Sequence, residues 1–268
     1  MEPESRPLSA RLSELLAQTF LREVRGFETL DSTNTHALQL LSQTNPLQLP
    51  LLVQTDSQHA GRGRGSHLWW SSPGGLTFSL AIDASEAGLA IERIPLMSLL
   101  TGIAVVEVCQ TQFPRADFAL KWPNDVYLNS KKLAGILIET IPSQPHLLVI
   151  GIGLNVNNSF IDAPDELRET GISLSDAAGR TFDSLQLLEQ FLLRLEDLLV
   201  ELVRGDNPVV QRWSGLCLLT GQHVVVNSGP VTIAGTCLGI DERGALIVRS
   251  DGGEQRLFGG TVESWGFA

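Results

Sequence analysis

The chain has 268 residues, 43% of them hydrophobic, and a formal net charge of −11. That length holds one large domain and a small one, and the acidity argues against generic nucleic-acid binding, which needs a basic surface to neutralise phosphates. The composition suits a soluble globular protein: no apolar run is expected to reach the roughly 18 residues of a membrane span, the N-terminus lacks the pattern of a secretory signal, and Cys109, Cys217 and Cys237 are too few and too scattered for a disulfide framework, which points to a reducing cytoplasm.

Residues 1–20 read as a polar tail and a short amphipathic helix with Leu8, Leu12, Leu15 and Leu16 on one face. From residue 21 to about 215 a larger unit is expected. FETLDSTNTHALQLL gives a strand, a polar turn and a helix, with Asp31, Ser32 and Thr33 as N-cap types. LPLLVQT is a buried strand that runs into QHAGRGRGSHLWW, and LTFSLAI alternates as the next strand. Residues 95–112 have the apolar density of a buried helix, with Pro95 near its first turn. Three close strands follow, DFALKW, KLAGILIET and HLLVIGIGLNV, and their short connections favour antiparallel neighbours. The clearest helix runs from Ser184 to Arg204, with a leucine stripe and a Gly205 stop. Residues 216–268 change texture to short strands and glycine turns, a small all-β barrel.

Three segments carry the chemistry. In the glycine-arginine loop, Gly61, Gly63 and Gly65 ease unusual backbone angles, Arg62 and Arg64 offer forked donors to phosphate or carboxylate, and Trp69 and Trp70 offer flat apolar faces. The loop follows a strand but opens no helix, so it is not a dinucleotide fingerprint. A mobile surface loop with solvated arginines is the plain alternative. In KWPNDVYLNSKKLAG, the chain's only lysines, Lys121, Lys131 and Lys132, fall within a dozen residues around a turn at Asn124-Asp125, so that a hairpin makes a cationic clamp. In GIGLNVN, glycines within an apolar strand mark a close approach of ligand or backbone.

DSTN, QHAGRGRGSHLW, KWPNDVYLNSKKLAGILIE and GIGLNV stand in the order and spacing of the biotin–protein ligases, and GIDERGAL with the following glycines resembles their SH3-like C-terminal domain. The resemblance covers residue 25 to the end. It implies an α+β fold, a mixed sheet with helices similar to class II aminoacyl-tRNA synthetases, plus the small barrel. It implies that biotin and MgATP give biotinyl-5′-AMP and pyrophosphate, and that a lysine of a biotin carboxyl carrier domain, such as that of acetyl-CoA carboxylase, is then acylated.

Site roles come with the resemblance. Ser32, Thr33, Asn34 and Gln58 match biotin contacts. Arg62, Gly63 and Arg64 match the loop that covers biotin and phosphate. Trp69 matches the tryptophan near adenine, and Lys121 the lysine at the α-phosphate. Lys132, with Gly135 beside it, matches the lysine at the biotin carboxylate. Asn124, Gly151, Leu154 and Asn155 match adenylate contacts. Arg62, Arg64 and Lys121 are thus expected to converge on one phosphorus atom, with Mg²⁺ brought by ATP rather than held in a protein metal site. Ser66 and His67 stand where many members have glycine and arginine, so a weaker loop closure is expected. The short N-terminal part implies a ligase without the DNA-binding domain of bifunctional members, and no DNA or membrane partner is expected. A lipoate–protein ligase or transferase and a non-catalytic biotin-binding regulator are the competing readings, and a homodimer through a sheet edge stays open.

Overall fold

The computed structural model describes residues 8–43, 47–161 and 163–266, with side chains from residue 12 onward. The polar tail expected at the N-terminus, and the side chain of Leu8, lie outside the described residues. Helix α1 (Leu8–Gln18) buries Leu15 and packs Leu12 against the core, but Leu16 is exposed, so the leucine face is narrower than expected. Strand β1 (Glu23–Leu30) leads to α2 (Thr33–Leu41), which Ser32 caps by accepting the Thr35 N–H. Then come β2 (Leu51–Gln58) and β3 (Leu76–Asp83), with the glycine-arginine loop between them.

The apolar segment differs from expectation in two ways. Pro95 belongs to a separate 3₁₀ turn, Ile91–Leu96, and α3 proper is Met97–Gln112. The run from Ile91 to Gln112 is also long and apolar enough, by composition, to cross a membrane, contrary to the expectation that no run reaches that length; it is 67% buried inside the fold. A helix apolar on all sides has no solvent face and fits the middle of a core.

Next come β4 (Phe118–Lys121), β5 (Asp125–Leu128), β6 (Lys131–Ile141) and β7 (Gln144–Leu154). Four strands stand where three were expected. Asp125–Leu128 pairs on both sides, and Asn129 and Ser130, at φ 49° and 64°, close a two-residue hairpin into β6. After the short helices α4 (Asp165–Arg168) and α5 (Leu174–Ala178), the long α6 (Ser184–Arg204) begins at the Asp183 cap and stops at Gly205, φ 100°. Helix α7 (Pro208–Ser214) leads to β8 (His223–Ser228), β9 (Val231–Ile240), β10 (Leu246–Ser250), β11 (Gly253–Leu257) and β12 (Thr261–Gly266).

The large mixed sheet has the order β1-β2-β3-β7-β6-β5-β4, parallel at β1–β2 and antiparallel elsewhere; the C-terminal sheet is antiparallel, in the order β11-β10-β9-β8-β12. Strand alternation decides what each face of the large sheet does. On β7, Leu148, Ile150, Ile152 and Leu154 enter the main core, where α3 and α6 also bury their side chains. Leu147 and Val149 point the other way, onto Ala37, Leu40 and Leu41 of α2. The next two residues on that second face are Gly151 and Gly153. Where α2 ends its cover, the sheet is bare, and that opening is the site.

Candidate active site

A cavity of about 310 Å³ opens over the bare patch. One end is a polar cradle at the start of α2. The Gln58 side-chain oxygen accepts from the Thr33 N–H at 2.8 Å and from its hydroxyl at 3.2 Å. The Ser79 hydroxyl lies 2.7 Å from Thr33 Oγ1 and 2.6 Å from Asn34 Oδ1. Asn34 donates to the Leu137 carbonyl at 3.1 Å and to Glu139 at 2.9 Å. A Cβ on Gly151 would collide with the Asn34 amide, so glycine is what lets this side chain lie flat on β7.

The floor between the ends is Gly135 paired with Gly153 across β6 and β7. The Trp69 indole covers both: a Cβ on Gly135 would sit 3.2 Å from it, and one on Gly153 would overlap it.

The other end is cationic. Lys132 pairs with Asp125 at 2.8 Å, Asn124 donates to the Ile136 carbonyl at 2.7 Å, and Lys121 lines the same wall. Lys121 Nζ lies 3.8 Å over the Trp265 ring and 3.4 Å from the Val262 carbonyl oxygen. Burial draws the Lys121 pKa below the usual lysine range; Asp125 opposes the fall, Lys132 adds to it and Glu263 opposes it. Burial likewise lowers that of Arg64, against the pull of Asp125.

The glycine-arginine loop is a small hairpin over the mouth. Arg62 and Leu68 form a bridge, the Gly63 N–H donates to His67 O at 2.8 Å, and the Trp69 N–H to Gly61 O at 2.9 Å. Of its three glycines only Gly65 has a positive φ, 64°. Its two arginines part company. Arg64 donates to the Gly260 carbonyl at 2.5 Å, whereas Arg62 pairs with Glu139 at 2.5 Å. From Lys132 to Glu139, β6 climbs roughly 23 Å at about 3.3 Å per residue, more than an arginine side chain spans. Arg62 and Lys121 therefore line one cavity from opposite ends. Arg64 is paired on the lysine side and Arg62 on the cradle side, and both line the cavity that Lys121 lines.

Residues 26–157 match the biotin/lipoate A/B protein ligase family, and residues 219–264 match the biotin protein ligase C-terminal domain. The bifunctional ligase/repressor BirA of Bacillus subtilis is 32% identical over 240 residues, 88% of this chain and 72% of that protein. The biotin–[acetyl-CoA-carboxylase] ligase of Paracoccus denitrificans is 30% identical over 232 residues, 84% of this chain and 93% of that one. This chain belongs to the biotin protein ligases. Among solved structures, the biotin protein ligase from Aquifex aeolicus in complex with biotin and ATP superposes with a TM-score of 0.79 at 26% identity, covering 92% of this chain and all of that one. The α+β fold of a large mixed sheet with helices and a C-terminal antiparallel sheet is the fold of these enzymes.

Against that family background, the cavity wall contains Ser32, Thr33, Asn34, Gln58, Arg62, Gly63, Arg64, Trp69, Lys121, Asn124, Lys132, Gly135 and Gly151. Leu154 and Asn155 do not line it. Alternation along β7 turns Leu154 into the core, and buried Asn155 accepts from Asn158 at 3.1 Å while its N–H donates to Leu133 O. Sequence reasoning missed Glu139, Asp125 as the partner of Lys132, the Ser79 hydroxyl and the C-terminal stretch Gly260–Glu263. Glu139 did carry a signal, being a carboxylate on the same strand face as Gly135 and Leu137.

Proposed function

We propose that biotin lies with its ring system in the Thr33–Asn34–Gln58 cradle and its carboxylate toward Lys132, and that ATP binds over the glycine floor beside Trp69. The activity is ATP-dependent ligation of biotin to a carrier protein, through biotinyl-5′-AMP. The observation that carries the reading is the division of one cavity into a charge-balanced hydrogen-bonding end, where Arg62 is paired with Glu139, and a cationic end, joined by a glycine floor under an indole. A ureido ring needs fixed neutral donors and acceptors, whereas a phosphoryl group under attack needs cations.

The substrate carboxylate is itself the nucleophile at the α-phosphorus, so the protein has to position and stabilise rather than attack. Lys132 holds the carboxylate, Lys121 faces the phosphoryl oxygens from its partly desolvated position, and Arg64 approaches the same end from the loop. The hairpin then covers the mixed anhydride against water until the carrier lysine arrives. Magnesium would neutralise charge on the triphosphate. Among the described residues no cluster of three or more His, Cys, Asp or Glu side chains exists to hold a resident ion, and an ion that arrives with the nucleotide needs only one or two protein oxygens. Asp125 and Glu263 on the cavity wall are the carboxylates able to supply them.

The carrier in this reading is a biotin carboxyl carrier domain of a carboxylase, in line with relatives named biotin–[acetyl-CoA-carboxylase] ligase. Lipoate lacks a ureido group and so offers the polar cradle of Thr33, Asn34 and Gln58 no ring donor or acceptor to engage. The test is incubation with MgATP, a carrier domain and either biotin or lipoate, followed by mass measurement of the carrier. Biotin is expected to add one biotinyl group and lipoate nothing. Pyrophosphate release without carrier isolates the first step, and its absence would overturn the reading.

A further inference from the structure

We propose that Glu139 is the positioning residue that seats the glycine-arginine hairpin, fixing Arg62 above the cradle and Asn34 beneath it through one carboxylate oxygen. Glu139 Oε2 accepts from Arg62 Nη2 at 2.5 Å and from Asn34 Nδ2 at 2.9 Å. The two donors come from different segments: Arg62 from the hairpin, Asn34 from the first turn of α2. Glu139 itself comes from β6, on the face shared with Gly135 and Leu137. The Asn34 side chain is held on every side, since its second donor contact is the Leu137 carbonyl and its oxygen meets Ser79. The carboxylate is therefore anchored to a rigid group. Arg62, more than a third exposed, is the mobile partner.

Further contacts hold the hairpin, among them the Arg64–Gly260 hydrogen bond, the Trp69 stack on the glycine floor and the Trp69 N–H to Gly61 O. The first two secure the cationic end and the middle. At the cradle end the Ala60 N–H donates to the Asp31 carbonyl at 2.9 Å, and Glu139 adds the charged side-chain hold on Arg62. With a charge-assisted contact there, the cover over biotin is set independently of what occupies the phosphate end. Glu139 touches neither reacting atom. It acts through Arg62 and Asn34.

The role in biotin retention rests on the function proposed above, so the test has a ligand-free arm. Limited trypsin digestion reads the seating of the hairpin through cutting after Arg62 and Arg64. In Glu139→Gln, which keeps an acceptor for Asn34 and removes the charge from Arg62, cutting is expected to rise several-fold with an unchanged melting temperature. Arg62→Gln, a change on the partly exposed hairpin, breaks the same pair from the other side. Cutting after Arg64 is expected to rise equally there, which keeps the test open if the Glu139 variant fails to fold.

In the ligand arm, Glu139→Gln is expected to weaken biotin binding about tenfold with the KM for ATP held within about twofold. The same change placed in the Arg62→Gln background is expected to add less than about twofold. Unchanged trypsin cutting in both variants overturns the seating role. An equal loss of biotin affinity with and without Arg62 also overturns it, by showing that the carboxylate acts through Asn34 alone. Wild-type protein that releases no pyrophosphate with biotin and ATP would sink the ligase reading and leave the trypsin result standing.

Discussion

Lys121 shows how one residue serves chemistry at a cost to the fold. It sits against Trp265 and Val262 with its ammonium partly stripped of water, and burial lowers its pKa. The folded pKa is below the unfolded one, so between the two the unfolded chain binds more protons. The contribution of this group to stability therefore rises as pH climbs toward the free-lysine value near 10.5 and is least at neutral pH. Lys121→Met removes the charge and keeps most of the apolar stem. Adenylation is expected to fall by roughly 10²–10³-fold, the usual cost of losing one transition-state donor. The melting temperature of the variant should rise slightly at neutral pH, where the burial cost is greatest, and wild type should gain on the variant in melts carried toward pH 10. A second test belongs to Gly153. A Cβ there runs into the Trp69 indole, so Gly153→Ala is expected to raise the KM for ATP about tenfold, from a lost ring stack of ~1–3 kcal/mol, while biotin affinity from titration stays near wild type. Both residues were legible as types: a lysine before a buried tryptophan, a glycine in an apolar strand. Which side chain each one meets was not, because Trp69 and Trp265 reach them from far along the chain.

Elements with local causes were the readable ones. Helix α6 has a leucine stripe and a glycine stop, and the structure follows both and adds the Asp183 cap. Strand β5 was missed because it is four residues long and its first is the Asp125 of a turn motif. Only pairing on both sides makes it a strand. Leu154 turns its side chain into the core, since its neighbour Gly153 faces the cavity and alternation sends the next residue the other way. The hairpin from Gly61 to Trp69 was legible as a flexible charged cover but not as an ordered two-stranded turn. His67 occupies its last corner, with its carbonyl accepting from Gly63. His67→Arg adds a fixed charge at the cavity mouth without touching that backbone bond. It is expected to slow adenylate release about threefold to tenfold, a gain of ~1 kcal/mol for a partly exposed ion contact, as read by chase of labelled biotinyl-adenylate. An unchanged off-rate would show that the corner does not bear on retention.

For the whole molecule, two sheets share one continuous core and meet over the chemistry. The chain carries −11 overall, yet Lys121, Lys132 and the two loop arginines line one cavity, so the local field opposes the global one. The C-terminal sheet closes that cavity with Gly260–Glu263 and supports Lys121 through Trp265, which also meets Tyr127 edge-on at 6.3 Å. Its seat is Gly244. The Trp122 indole N–H donates to the Gly244 carbonyl at 3.1 Å, φ there is 80°, and a Cβ would stand 2.9 Å from Leu99 and 3.0 Å from Leu96. Gly244→Ala therefore meets a left-handed backbone cost of roughly 1–2 kcal/mol and an overpacking cost of about 1–3 kcal/mol. A partial retreat of the sheet relieves the second. The expected result is a melting temperature several degrees lower, together with a raised KM for ATP, because β12 withdraws from Lys121. Biotin affinity should change little, since Thr33, Asn34, Gln58 and Glu139 all belong to the larger sheet and its helix. If biotin and ATP affinities fell together, the two ends of the cavity would not be separately built, and the division of labour argued for this site would fail.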